Sequence, residues 1–364
     1  MLMYIAVLAV VVVCAMAAQK STSRLQSNIL YGVMVAMLVL VAGLRDRSVG
    51  TDTEYYVRLF GESTTWAYVL ARSVQTYEIG YYALNWVIRA FTDQYHVLLL
   101  TIAAIAVAGY VRAIRTLSLN PAISSFVFVA LGSYTFFFNG ARQGIACAIC
   151  ALAVGPLLKR DLRRFVILVV VAALFHKTAL VLLPFYFVLE KSNTLRTNVL
   201  YGLVGVIGAI TLQPFVGLAS QVDPRYQSFS SVGSGGGYYT VAFIVLLTTF
   251  FLLFKKSVRV DRERYEQFLN MLIFGTVISL VSALARVDPS GVGRIAQYFT
   301  VSIIFLWPIV YRNISGRNAK LLFAYVFVVV CVAYFLLSTQ RFGSLTPYVL
   351  NEGLAHLAAA AGAG

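Results

Sequence analysis

Charge is what this chain has least of: only 12% of its residues are charged, 60% are hydrophobic, and the mean hydropathy is +0.82. That balance excludes an ordinary soluble domain. Cysteine chemistry is also thin. Cys14, Cys147, Cys150 and Cys331 all lie in apolar runs, and the Cys147-x-x-Cys150 pair has neither a second such pair nor a nearby His. Metal and redox chemistry are therefore not expected. The glycine-rich stretch 230–239 lacks the Lys-Ser/Thr of a P-loop, which leaves a lid or a plain linker. No basic residue precedes the first apolar run, whereas Lys20 and Arg24 follow it. This is the reverse of a secretory signal, so the run is expected to be an uncleaved anchor.

What the chain does have is a succession of apolar stretches, each long enough at about 20 residues to cross about 30 Å of hydrocarbon. Ten full spans are expected, at 2–18, 28–44, 95–111, 121–138, 142–158, 197–219, 239–254, 268–285, 295–311 and 321–337. The fold class is an all-α polytopic transmembrane bundle. It forms a single membrane domain over 1–338, with a C-terminal tail at 339–364. Phenylalanine and tyrosine are abundant, at 25 and 22 residues. Most of them suit the membrane interface, and some suit stacking on sugar rings.

The stretch 165–189 stands apart because His176 and Lys177 fall at its centre. Short basic loops recur at Lys20/Arg24, Arg112/Arg115, Lys159–Arg164, Lys191–Arg196, Lys255–Arg264 and Arg312–Lys320. All six share one face, the cytoplasmic one, only if the chain enters and leaves 165–189 on the same side. Two short or re-entrant helices, 165–176 and 178–189, are expected to meet at His176–Lys177, lining a wet cavity or packed on protein. With that parity both termini face outward, as do 45–94, Asn139–Arg142, the His176–Lys177 tip, 220–238 and 286–294. The net charge of +15 is then mostly topology, and no nucleic-acid partner is indicated.

The outer residues carry the chemistry. Between Leu44 and Phe60 the chain reads LRDRSVGTDTEYYVRLF, a charged and aromatic cluster at a membrane exit, where charge is costly and usually functional. Gly50-Thr51-Asp52 is a turn, and Thr53–Phe60 has helical spacing. Residues 78–91 read as an amphipathic helix on the outer surface. Glu78 opens it, either as a helix-start carboxylate or as a sugar-binding group among Tyr77, Tyr81 and Tyr82. Arg142 stands at a helix start, where a cation is locally disfavoured. It either snorkels to headgroups or meets an anion such as a lipid phosphate. His176 is either a packed histidine at a helix break or, with Lys177 and Thr178, part of a site. Arg286 and Asp288 precede Arg294, which starts a span as Arg142 does. Two such arginines would clamp a diphosphate in a forked, bidentate way.

The ordered set Leu44-Arg45…Val49-Gly50-Thr51-Asp52…Tyr55/Tyr56, Glu78-x-Gly80-Tyr81, Arg142-Gln143-x-x-Ala146, Phe175-His176-Lys177…Pro184 and Arg294-x-x-x-Tyr298-Phe299 resembles the EpsG-like, Wzy-type polysaccharide polymerases of bacteria. The resemblance runs over roughly 45–300. That family usually has Tyr directly after Gly-Thr-Asp, where this chain has Thr53, so Tyr55 or Tyr56 takes that place. The resemblance implies an enzyme of the bacterial inner membrane with its site facing the periplasm. It would join oligosaccharide repeat units carried on undecaprenyl diphosphate and release the lipid diphosphate, with no nucleotide sugar, cofactor or metal. The product would be O-antigen, capsule or exopolysaccharide, and a chain-length regulator is a further partner. Arg142 and Arg294, with Arg286 or Arg45 in support, would stabilise the departing diphosphate. Glu78, His176 and Asp52 compete to be the base, with Glu78 favoured and His176 positioning phosphate or sugar. Tyr55, Tyr56, Tyr81, Tyr82 and Lys177 would contact sugar. An O-antigen ligase, another membrane glycosyl or acyl transferase, and a lipid-linked oligosaccharide flippase are the rival readings.

Overall fold

The computed structural model describes residues 1–205, 207, 237–285 and 292–351. Among these residues the named elements are all helical, and the single β contact is an isolated antiparallel bridge between Arg45 and Leu350. The packing groups the chain into two compact units. One joins the residues up to Leu180 with those from Gly316 onward, and the other comprises Val181–Ser315.

The first unit begins with α1 (Leu2–Lys20) and α2 (Arg24–Gly43). Tyr4, Val7, Leu8, Val11, Ala15 and Ala18 recur along one side of α1 and are buried there, an apolar stripe at helical period. It packs on α2 and on α7 (Pro121–Ala130). Three short helices follow, α3 (Thr53–Glu62), α4 (Trp66–Thr76) and α5 (Ile79–Arg89), before α6 (Tyr95–Leu117). After α7 the chain breaks at Gly132, whose φ of +83° glycine adopts without strain, and resumes as α8 (Ser133–Asn139) and α9 (Ala141–Leu158). A Cβ on Gly109 of α6 would stand 3.1 Å from the Ala148 Cβ of α9. Small residues at such a crossing let helices approach closely in lipid, where no hydrophobic effect drives them together. Cys147 and Cys150 are buried and free, so they serve as small packing residues in α9.

The break expected near the middle of 165–189 is present. Helix α10 (Leu162–Phe175) stops at His176, which is extended at φ −153° and ψ 112°. A short 3-10 turn, Lys177–Val181, and then α11 (Leu182–Val188) follow. Neither piece is long enough to span, in agreement with two short helices.

The second unit is built on α13 (Arg262–Leu284), against which α12 (Tyr238–Phe254), the 3-10 turn Val292–Ala296, α14 (Gln297–Thr300) and α15 (Ile303–Asn313) pack. A buried polar knot ties the chain near Asn193 to the start of α13. The Asn193 N–H donates to Glu266 at 2.8 Å, Arg262 pairs with Glu266, and Asn270 donates to the Glu190 carbonyl at 2.9 Å. These partners satisfy one another, which is how buried polar groups become tolerable.

The chain continues in α16 (Arg317–Leu337), which returns to the first unit and packs on α7. Eight described helices are long and apolar enough to span, and nine if the pair bent by 41° at 293–313 counts as one. The sixth expected span, 197–219, lies mostly outside the described residues, as do the loop at 220–236 and Arg286. The last described residues look like a tail in the sequence, but they fold back onto the first unit. The Asp46 N–H donates to Val349, the Asn351 N–H to Leu44, and the Tyr348 hydroxyl to Val41, at 2.9, 3.0 and 2.9 Å.

Candidate functional site

Three chain breaks in the first unit bring candidate side chains together. At the first, Tyr77 ends α4 in the left-handed conformation, with φ +60°, and the chain turns so that Glu78 stands at the start of α5. The carboxylate does not cap that helix. Its oxygens go elsewhere: Oε2 accepts from Arg142 Nη1 at 2.5 Å, and Oε1 meets His176 Nδ1 at 2.5 Å. Arg142 lies in the first turn of α9 and His176 at the α10 break, so one carboxylate joins three helices separated by 64 and 98 residues in sequence.

The glycines of the motifs make this approach possible. A Cβ on Gly80 would lie 3.0 Å from both the Cβ and the carbonyl oxygen of Leu174, so only glycine lets α5 lie this close to the end of α10. A Cβ on Gly144 would fall 2.2 Å from the Phe137 Cβ, so the start of α9 similarly depends on a bare backbone against α8. The "Gly" of Glu78-x-Gly80 is thus a packing residue that aims the glutamate.

Glu78 is 3% exposed at its side chain, against 20% for Arg142 and 22% for His176. Burial alone would raise the Glu78 carboxyl, but the hydrogen bond with His176 and the positive charge of Arg142 outweigh it and hold the group below the usual carboxylate range. An ionised carboxylate can only accept, so His176 Nδ1 carries the hydrogen toward Glu78. In the neutral imidazole, Nε2 is then the free acceptor. The sequence demanded an anion for the cation at the α9 N-terminus, and Glu78 supplies it from within the protein. The structure therefore corrects the picture of Glu78 on an outer surface helix with His176 apart from it: they are direct partners, and Glu78 lies beneath.

Tyrosines form the surroundings. Tyr81 and Tyr82 are fully buried, and Tyr56 is 4% exposed. The three rings pack edge to face, with Tyr56–Tyr81 and Tyr81–Tyr82 centres 5.9 and 5.7 Å apart. Stacking of a ring face on a sugar is thereby open to Tyr55 alone of the four expected tyrosines. The Tyr81 and Tyr82 hydroxyls, and Arg142 Nε, are buried without a hydrogen-bond partner. The Arg142 guanidinium lies 5.9 Å from the centre of the Tyr81 ring, and the Lys177 ammonium 5.5 Å from that of exposed Tyr77.

The Gly-Thr-Asp turn is held against the same region by Asn139. Asn139 Oδ1 accepts from the Thr51 N–H at 2.8 Å, while its amide donates to the Gly343 carbonyl at 2.7 Å. The Gly50 N–H donates to Ser344 at 3.0 Å. Asp52 stands half-buried at the start of α3 and accepts from the Thr51 hydroxyl at 3.0 Å. Arg45 is corrected outright. Only 2% exposed, it donates to the Ala42 and Phe138 carbonyls and lies 4.4 Å from the Phe138 ring centre. Burial pushes its pKa down to about 10. It pins the loop and is not available to a diphosphate. Arg294 sits half-buried in the 3-10 turn Val292–Ala296 of the second unit, not at the start of a continuous helix like Arg142. Among the described residues no His, Cys, Asp and Glu cluster suits a metal ion.

Sequence reasoning passed over Asn139 as a brace, Arg72 of α4 and the returning residues 343–351. Only the glycine of Glu78-x-Gly80 gave a local signal of the close approach behind the site.

A search finds 23% identity over 222 residues, 58% of this chain and 59% of the relative, to the amylovoran biosynthesis protein AmsC of Erwinia amylovora. No solved structure matches. The profile of the EpsG family matches residues 28–350, a stretch that takes in the Gly-Thr-Asp turn, Glu78, Arg142, His176 and the returning segment alike. With the match running through both parts of the first unit, the chain belongs to the EpsG family.

Proposed function

We propose that this multi-pass membrane protein polymerises polysaccharide, joining oligosaccharide repeat units carried on undecaprenyl diphosphate at the periplasmic face of the bacterial inner membrane. The family and the amylovoran-biosynthesis relative support the polysaccharide role. The observation that carries the chemistry is the Glu78 carboxylate bridging Arg142 and His176. Glu78 is too buried and too fully engaged to take a proton from an acceptor itself, so its part is to orient. It holds the Nδ1–H of His176, leaving Nε2 to remove the proton from the acceptor hydroxyl as that oxygen bonds to the donor's anomeric carbon. The bond from that carbon to the diphosphate breaks, the lipid diphosphate leaves with the electron pair, and Arg142 beside Glu78 stabilises it. The proton on His176 then passes to water. Lys177 and exposed Tyr55 would contact sugar.

Glycan profiling of a deletion strain complemented with variants tests this. Cells lacking a polymerase make lipid capped with a single repeat unit, whereas cells lacking a ligase leave the lipid bare. His176→Gln should reproduce the single-unit phenotype while the protein still inserts. Bare lipid, or normal polymer from His176→Gln, would refute the assignment.

A further inference from the structure

Beyond Lys177, the site as described so far has no net positive charge to meet a diphosphate. Arg142 and Glu78 cancel, and a lipid diphosphate brings at least two negative charges. The segment 45–94 holds five arginines. Arg47 pairs with Glu54, Arg58 with Glu62 and Arg89 with Asp93, while Arg45 is sealed onto carbonyls. Arg72, on α4, differs from all four. Its guanidinium donates to the neutral Gln75 amide at 3.3 Å and meets neither a carboxylate nor a backbone carbonyl within hydrogen-bond distance among the described residues. Its guanidinium lies 5.9 Å from the Tyr82 ring centre, just as Arg142 lies 5.9 Å from that of neighbouring Tyr81. Each ring of this tyrosine pair, with centres 5.7 Å apart, thus has a guanidinium 5.9 Å from its centre, and the Tyr82 hydroxyl is fully buried and unpartnered. Burial raises that hydroxyl's pKa, and Arg142 and Arg72 both draw it back down.

Building on the proposed polymerase reading, we propose that Arg72 is the second cation of a diphosphate site. Arg72 and Arg142 each take one phosphoryl group of the donor lipid, and the Tyr82 hydroxyl donates to a phosphate oxygen between them. A diphosphate would in this way be preferred over a monophosphate, because only the former reaches both guanidinium groups. Forked donors suit such oxygens better than a point charge does.

The test is binding of undecaprenyl diphosphate and undecaprenyl monophosphate to the full-length protein in nanodiscs. Wild type should prefer the diphosphate, and Arg72→Ala should weaken diphosphate binding at least 10-fold while changing monophosphate binding little. Arg72→Lys should recover only part of the preference. Arg47→Ala, which removes the same charge from an exposed ion pair, should bind like wild type. If Arg72→Ala does not fold, Arg72→Gln keeps a long polar side chain and should show the same loss. Unchanged diphosphate binding in a folded neutral variant, with Arg142→Ala still impaired, would overturn the role of Arg72 and leave the polymerase reading standing. An equal loss in Arg47→Ala would also overturn it, as bulk charge. Failure of wild type to bind either lipid would overturn both.

Discussion

At the scale of single residues, the position of Glu78 makes shape and charge separable. Glu78→Gln keeps the volume but has one acceptor oxygen, so it cannot accept from both Arg142 and His176. Polymer formation should fall by about 10²–10⁴-fold, the span of a lost general-base arrangement, with insertion intact; a variant that still polymerises would show that His176 needs no orienting carboxylate. Glu78→Ala is more damaging to the fold. It strands Arg142 and His176 beside buried tyrosines, and breaking a buried pair by removing one partner costs about 3–5 kcal/mol. The more exposed heads of Arg142 and His176 keep the loss toward the low end of that range. The same carboxylate gives a pH signature. Its folded pKa lies below its unfolded one, so its stabilisation is complete above the ordinary glutamate value of about 4.3 and is lost as pH falls through the lower, folded value. Melting temperature in detergent should therefore drop below about pH 4.3, and Glu78→Gln should flatten that part of the profile.

At the scale of elements, the all-helical spanning bundle and the break at 176–177 were readable because hydropathy and loop charge are properties of consecutive residues. The interruption at His176–Lys177 followed from keeping basic loops on one face, and α10 does end at Phe175. The partnership of α5 with α10 was not readable. Glu78 and His176 are 98 residues apart, and nothing local announces which helix ends meet. The amphipathic pattern of 78–91 placed the helix at a surface, but the residue at its start points inward because Gly80 admits the end of α10. Gly80→Ala should push α5 from Leu174 by a few tenths of an ångström and lower activity about 10-fold, since geometry at a reacting centre is sensitive at that scale. Gly144→Ala instead meets the Phe137 Cβ and Cα, which cannot turn away. It should destabilise the protein by about 1–3 kcal/mol as overpacking, measured by thermal unfolding. If Gly80→Ala were fully active, close approach would not be what the glycine provides.

At the scale of the whole molecule, the first unit is assembled from two stretches of chain, with the second unit inserted between them in sequence. That organisation was invisible to a reading that treats each span in turn, and it explains why residues 339–351 looked like a dispensable tail. Apolar period and charge say nothing about a segment held by backbone bonds to Leu44, Asp46 and Gly50. A stop codon after Phe342 leaves all the described spans intact, yet it should release the Gly-Thr-Asp turn from Asn139. The expected outcome is a protein that inserts normally, is cut readily by protease near residue 50, and makes no polymer.

The returning segment also sets a clock on biogenesis. A ribosome delivers Gly50, Asn139 and Arg142 early, but the residues that brace them emerge only after the whole of Val181–Ser315 has been made. A nascent chain would therefore already hold Glu78, His176 and Asn139 while Gly50 and Asn139 still lacked their partners at Ser344 and Gly343. The bonds from Gly50 to Ser344 and from Asn139 to Gly343 can close only after that later stretch has been made.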